Sequence, residues 1–182
     1  MKISVLEQLL NQTPVFTQLP ETARQSLMEN ASLIRLKARQ HLFHMGDSAT
    51  HFFLVKFGTI TLYRPSYSGD NKVFRTLSSG DLLAETVMFL KLPEYPLSAQ
   101  AAGNATCYRL SRESLLQVCR ESPDFSLELM SGMAMRISQS LNRIDLLTMS
   151  NAAQRLVLYL MDLYMQQRRS WLTLPGKQAR TC

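Results

Sequence analysis

The spacing of hydrophobic and polar residues changes twice along the chain. Residues 5–30 place apolar side chains at helical intervals between prolines, which predicts short helices. Residues 31–110 instead form short runs rich in Val, Ile, Phe, Tyr and Thr, interrupted at intervals by glycine, which predicts a small β-roll or barrel rather than a parallel sheet. These glycines are Gly46, Gly58, Gly69, Gly80 and Gly103.

Three turns can be placed between the predicted strands. Gly46-Asp47 follows the run at residues 41–44, and residues 68–71 separate two apolar runs as a hairpin loop does. Gly103-Asn104 is expected to act in the same way between residues 97–102 and 106–110.

Helical spacing returns after residue 110. Ser111 is a plausible N-cap with Glu113 in the first turn, and Ser122-Pro123-Asp124 is a second start signal. No glycine or proline interrupts residues 133–165, so the second helix is predicted to be long, with a break near residues 150–151.

Apolar residues of this long helix recur at alternating steps of three and four, the spacing of a coiled-coil seam. One interpretation is an amphipathic helix packed on its own roll, for which Met133, Met135, Leu146 and Leu147 supply extra apolar positions. The other, which we favour, is that the same helix also pairs with its copy in a homodimer. The predicted dimer interface is Leu127, Met130, Ala134, Ile137, Leu141 and Ile144.

Charge and composition narrow the class of protein. The chain of 182 residues carries a net charge of +6, and four basic residues but no acidic one follow Asp162. A basic end is compatible with a nucleic acid partner, and a solvated tail explains it equally well. Short, interrupted apolar runs and three widely separated cysteines predict a cytoplasmic protein with no membrane partner and reduced thiols. No catalytic motif is present, so we expect no enzyme.

Three segments, at residues 42–47, 53–60 and 77–85, resemble the cyclic-nucleotide-binding roll of regulators of the CRP/FNR family. The resemblance covers about residues 5–175 in the same order of elements. It implies an α+β fold: a sensory β-roll (double-stranded jelly roll) with flanking helices at residues 1–122, then a dimerisation helix at 123–150. Residues 151–182 would be the incomplete start of a winged helix-turn-helix domain, truncated before the helix that reads DNA, so that only the full-length parent would bind DNA.

In nucleotide-binding members of this family, a short helix receives the cyclic phosphate, a Glu holds the ribose and an Arg pairs with the phosphate. Glu85 matches that Glu, but Ala84 replaces the preceding Gly, and Leu97-Ser98-Ala99 stands where Arg-Ser-Ala is expected. Losing the Arg–phosphate pair removes about 1.5–3 kcal/mol. No Lys or Arg lies between Leu92 and Tyr108, so we do not expect a cyclic nucleotide. A cyclic-nucleotide-binding regulatory module is the alternative.

The same family resemblance suggests which other effectors to consider. An iron–sulfur cluster is not expected because no cysteine precedes Cys107. Residues 84–100 are similar to the DNR-type subgroup, which senses nitric oxide through haem in an apolar pocket. This resemblance implies a pocket for a small effector, with haem as the candidate. Its metal ligand is unknown, since His41, His44 and His51 are the only histidines and a histidine in or beside a strand is more often hydrogen-bonded or solvated than metal-bound. The predicted pocket is Leu83, Ala84, Glu85, Met88, Phe89, Leu97 and Ser98.

Overall fold

A computed structural model describes residues 5–17, 19–66, 71–148, 156–157 and 160–161. The chain begins with α1 (Val5–Gln12), a 3-10 turn (Pro14–Phe16) and α2 (Glu21–Glu29), as the sequence predicted. A 3-10 helix (Thr86–Phe89) lies between the sixth and seventh strands, and α3 (Arg112–Glu121) and α4 (Pro123–Thr148) follow the last strand. The strands are β1 (Ser32–Leu36), β2 (His41–Phe43), β3 (His51–Phe57), β4 (Ile60–Pro65), β5 (Asn71–Leu77), β6 (Leu82–Leu83), β7 (Ser98–Ala101) and β8 (Ala105–Ser111).

These strands form two antiparallel sheets, which confirms the predicted roll. One sheet has the order β1-β8-β3-β6 and the other the order β2-β7-β4-β5. Phe43 of the second sheet stacks on Phe53 of the first, with ring centroids 5.6 Å apart. Because both side chains are buried, this contact joins the two sheets through the interior of the roll.

The two predicted hairpins have different outcomes. β4 and β5 pair from Ile60↔Leu77 to Pro65↔Asn71, so the hairpin is confirmed, although residues 67–70 of its loop lie outside the described residues. The prediction of a hairpin at Gly103-Asn104 is wrong. β7 pairs with β2 and β4, whereas β8 pairs with β1 and β3, so the chain crosses from one sheet to the other at this turn. Glycine and asparagine predict that the chain reverses direction at a turn, but the packing of the whole fold determines which strands pair.

Both predicted helix starts are confirmed. The Ser111 hydroxyl accepts a hydrogen bond from the Ser114 amide at 3.0 Å, and Pro123 is the first residue of α4. α4 is described to Thr148, so the predicted break at residues 150–151 lies outside the described residues. The predicted winged-helix segment also lies outside them, except for four helical positions, 156–157 and 160–161.

The chain divides into two compact units, residues 1–132 and 133–182. In the first, the flanking helices pack through buried apolar side chains, including Leu10, Leu27 and Leu115. Phe16 stacks on Phe125 of α4 with ring centroids 5.7 Å apart. The start of α4 is therefore fixed within the same unit as the roll. The predicted division at residues 122/123 and 150/151 stays a prediction. None of the described helices is long and apolar enough to span a membrane.

Candidate ligand site and helical seam

A tight turn fixes the entry to the predicted pocket. Asp81 accepts a hydrogen bond from the Ser78 amide at 2.8 Å, and its own amide donates to the Ser78 carbonyl at 3.0 Å. The Gly80 amide donates to the Val55 carbonyl at 2.9 Å, and the Val55 amide donates to the Asp81 carbonyl at 3.0 Å. These bonds hold the turn against β3, so the segment that follows starts from a defined position.

Ala84 keeps the backbone conformation for which the family uses glycine. Its φ is +65°, in the left-handed region that costs a residue with a side chain about 1–2 kcal/mol. Glu85 comes next and is buried at the start of the 3-10 helix. The cassette, residues 84–90, therefore begins with a residue in the left-handed conformation that glycine adopts without steric cost.

The predicted pocket residues differ in their burial. Leu83, Glu85, Met88 and Ser98 are buried, and Ala84 and Leu97 are half-buried. Phe89 is 40% exposed. Leu83 lies in one sheet and Ser98 in the other, which places them on the two sides of the roll. Their role as ligand contacts stays a prediction.

The loop that carries Leu97 is bound to the turn after β2. The Gly46 amide donates to the Tyr95 carbonyl at 2.9 Å, and the Tyr95 amide donates to the Asp47 carbonyl at 3.0 Å. The Ser98 hydroxyl accepts a hydrogen bond from the Met45 amide at 3.0 Å. Ser98 thus has a structural partner before any ligand is considered.

An aromatic cluster that sequence reasoning missed borders this region. Tyr95 stacks on Phe43 with centroids 3.7 Å apart and lies 6.5 Å from the ring of Phe53, which is the ladder partner of Leu83. The Tyr95 hydroxyl donates to the His51 carbonyl at 2.7 Å, and burial is the main cause that raises the Tyr95 pKa. The interior beside Leu83 is consequently apolar and aromatic.

Arg64 is the basic side chain that contacts the loop before Leu97. Its guanidinium lies 3.5 Å from the Pro96 carbonyl and 5.4 Å from the ring centroid of Phe74. Arg64 is exposed and follows the buried Tyr63 along β4. Its charge therefore lies at the surface.

The histidines already have partners. His41 Nε2 lies 2.6 Å from the Tyr63 hydroxyl, and the His41 and His44 rings stack at 4.4 Å. His51 Nδ1 lies 2.8 Å from the Thr50 hydroxyl, and burial followed by the Arg109 charge lowers the His51 pKa. None of the three histidines is therefore assigned as an axial ligand of haem. Within the described residues, no group of three or more His, Cys, Asp or Glu side chains is arranged to hold a metal ion.

A cleft of about 550 Å³ lies beside α3. It includes none of the seven residues predicted to line the ligand pocket. Its lining is polar and charged, and comprises Thr50, His51, Ser111, Arg112, Glu113, Leu116 and Arg120.

α4 has apolar residues on two sides. Within the first unit, Phe125 and Leu129 are 0% and 3% exposed, whereas Leu127 and Met130 are 61% and 55% exposed. In the second unit, the remaining seam residues Ala134, Ile137, Leu141 and Ile144 are also exposed. The first unit covers one side of the first turns of α4, and among the described residues the predicted seam side chains are exposed. This pattern is the one a partner helix requires, and the dimer interface itself stays a prediction.

Comparison with known proteins gives the class of this fold. Residues 33–122 match the model of the cyclic nucleotide-binding domain. The chain is 28% identical over 125 residues to the cyclic AMP receptor protein of Thermus thermophilus, covering 69% of this chain and 57% of that regulator. It is 21% identical to the neuropathy target esterase sws of Drosophila willistoni, over 73% of this chain but 9% of that enzyme.

The solved sensor domain of the transcriptional regulator DNR from Pseudomonas aeruginosa is similar at 26% identity, with a TM-score of 0.70. The match covers 81% of this chain and 95% of that domain. The two-sheet roll, together with α3, is thus a cyclic nucleotide-binding domain. The chain is similar to regulators of the CRP/FNR family and spans about half the length of the curated regulators that it matches.

Proposed function

We propose that this chain is the effector-sensing and dimerising part of a cytoplasmic CRP/FNR-type transcription regulator, that it is not an enzyme, and that its effector is apolar rather than a cyclic nucleotide. The observation that carries the proposal is Leu97. It stands immediately before β7, where the resemblance implies a phosphate-binding Arg. The similarity to the DNR sensor domain supports the same function.

Haem is the effector group that we propose, by resemblance to the DNR-type regulators. Bound haem would supply an iron centre for nitric oxide. The buried Leu83 and Met88, together with Leu97, would hold the apolar face of the group and exclude water from it. An iron–sulfur cluster is excluded from the proposal because no cysteine precedes Cys107.

Sensing would act through α4. An effector bound near the cassette would change the packing at the start of α4, and the seam would pass that change to a second copy and to DNA-reading domains of the full-length protein. DNA binding and dimerisation belong to the proposal and follow from the regulators to which the chain is similar.

Haemin titration of the 182-residue chain tests the effector. We expect a Soret band that saturates at one haemin per chain. Leu97→Arg should weaken this binding because it introduces a charge into the apolar wall. Leu92→Arg makes the same change in the same loop at a side chain that is 85% exposed, and should bind haemin like the wild type.

The same pair of variants tests the cyclic nucleotide alternative, which the match of residues 33–122 favours. Leu97→Arg should tighten cyclic AMP binding by about ten- to a hundredfold, because a charge-assisted bond contributes about 1.5–3 kcal/mol. Leu92→Arg should not. Tight cyclic AMP binding by the wild type, with no Soret band, would replace the haem proposal with a cyclic-nucleotide-binding module.

A further inference from the structure

Arg112, the first residue of α3, connects two parts of the fold that the sequence separates by more than 20 residues. Its Nε donates to the Met88 carbonyl at 2.8 Å, and its Nη2 donates to the Leu90 carbonyl at 3.2 Å. These carbonyls lie at the C-terminal end of the 3-10 helix, where Leu90 is the capping residue. The side chain therefore binds the end of the cassette, on the segment that carries the predicted pocket wall.

The geometry of the guanidinium group explains why this contact fixes the position of the cassette relative to Arg112. Carbonyls at the end of a helix lack backbone partners and carry partial negative charge. A guanidinium presents several N–H donors in one rigid plane, so two bonds to two carbonyls fix both the distance and the angle. A Lys ammonium has the same charge but lacks this fork. Moving the cassette would therefore move Arg112 or break both bonds.

Hydrogen bonds also hold the backbone of Arg112 and both ends of α3 in place. Its amide donates to the Thr50 carbonyl at 2.9 Å, and Ser111 caps the same helix. At the far end of α3, the Ser122 amide donates to the Val118 carbonyl at 2.9 Å, and the Ser126 hydroxyl donates to the Cys119 carbonyl at 2.7 Å. α3 and the first turn of α4 are thus joined by hydrogen bonds as well as by the buried Phe125.

We propose that Arg112 is a positioning residue that transmits displacement of the cassette to α3 and to the start of α4. The inference rests on the proposed effector function and adds the route by which that site acts. A purely structural role for Arg112 would hold the loop after Met88 in place without passing any change to residues 123–130.

Amide hydrogen exchange of the full 182-residue chain distinguishes these roles. Two independent changes perturb the cassette: Ala84→Gly, which removes the left-handed strain without any ligand, and saturation with haemin. Each is applied to the wild type and to Arg112→Gln, Arg112→Lys and Arg120→Gln. Arg120 is the matched control, an exposed arginine of the same helix. Thermal melting of each variant checks that it is folded.

In the wild type and in Arg120→Gln, we expect exchange to change at residues 86–90 and, by about fivefold or more, at residues 123–130. In Arg112→Gln the change should stay at residues 86–90, and Arg112→Lys should transmit weakly. The proposal is overturned if Arg112→Gln transmits like the wild type, or if neither perturbation reaches residues 123–130 in the wild type. Failure of haemin to bind, with transmission from Ala84→Gly intact, would refute the haem proposal and leave the role of Arg112 supported.

Discussion

Gly58 lies between β3 and β4, where the chain passes very close to the crossing between the sheets. Its φ is +82°, and a Cβ at this position would lie 2.4 Å from the Asn104 carbonyl oxygen, 2.8 Å from Ala105 Cα and 2.9 Å from Ala105 Cβ. The two nearest atoms belong to the backbone, so the neighbour cannot relieve the overlap by changing a rotamer. Gly58→Ala should therefore destabilise the fold strongly.

The magnitude follows from three contributions. The left-handed conformation costs alanine about 1–2 kcal/mol, and overpacking a tight contact costs about 1–3 kcal/mol. Alanine also restricts the unfolded chain, which returns about 0.4–1 kcal/mol. Gly58→Ala should thus lower the free energy of unfolding by about 1.5–4 kcal/mol.

Gly46→Ala and Gly80→Ala are matched controls. Their φ values are +88° and +90°, but nothing lies within 4 Å of the added Cβ. They should lose only about 0.5–1 kcal/mol. Urea unfolding, with similar m-values for all four proteins, measures the differences. Equal losses for Gly58→Ala and Gly46→Ala would refute the close approach.

Two further predictions concern the seam and the buried thiol. Ile137→Lys should weaken self-association by about a hundredfold or more, since both copies lose apolar burial at the seam. Met135→Lys changes a residue of the same helix outside the predicted stripe and should leave self-association unchanged. Equal effects of the two variants on the dimer dissociation constant, measured by sedimentation, would contradict the seam. Burial raises the Cys107 pKa from 9.0 to about 11, so the native chain holds a proton that the unfolded chain loses, and stability should fall as the pH rises through 9–11. Cys107→Ala should make that decline shallower, and an identical pH dependence in the two proteins would argue against the shifted pKa.

Several elements of the site were accessible from the sequence because short-range interactions determine them. Ser111 and Pro123 mark helix starts through groups within one turn of each residue. The predicted seam of α4 rests on a repeat of three and four residues in one helix, and its role as a dimer interface stays a prediction. The unusual backbone at Ala84 lies where the family resemblance predicts a glycine, and its φ of +65° shows why.

Other features of the site could not be predicted because they join residues that are distant in the sequence. The Tyr95 hydroxyl reaches the His51 carbonyl across 44 residues, and no local pattern marks either partner. Phe89 was predicted as a pocket wall and is 40% exposed, because its apolar character does not determine which way the short helix faces.

Local patterns predicted the helices that the structure describes, most of the strands and the hairpin between β4 and β5, since each depends on neighbours within a few residues. Three features depend on long-range packing instead: β7 and β8 lie in different sheets, Gly58 accommodates the crossing between them, and Arg112 binds the end of the cassette. Such contacts depend on how the two sheets and the flanking helices pack together, and packing is a property of the whole chain.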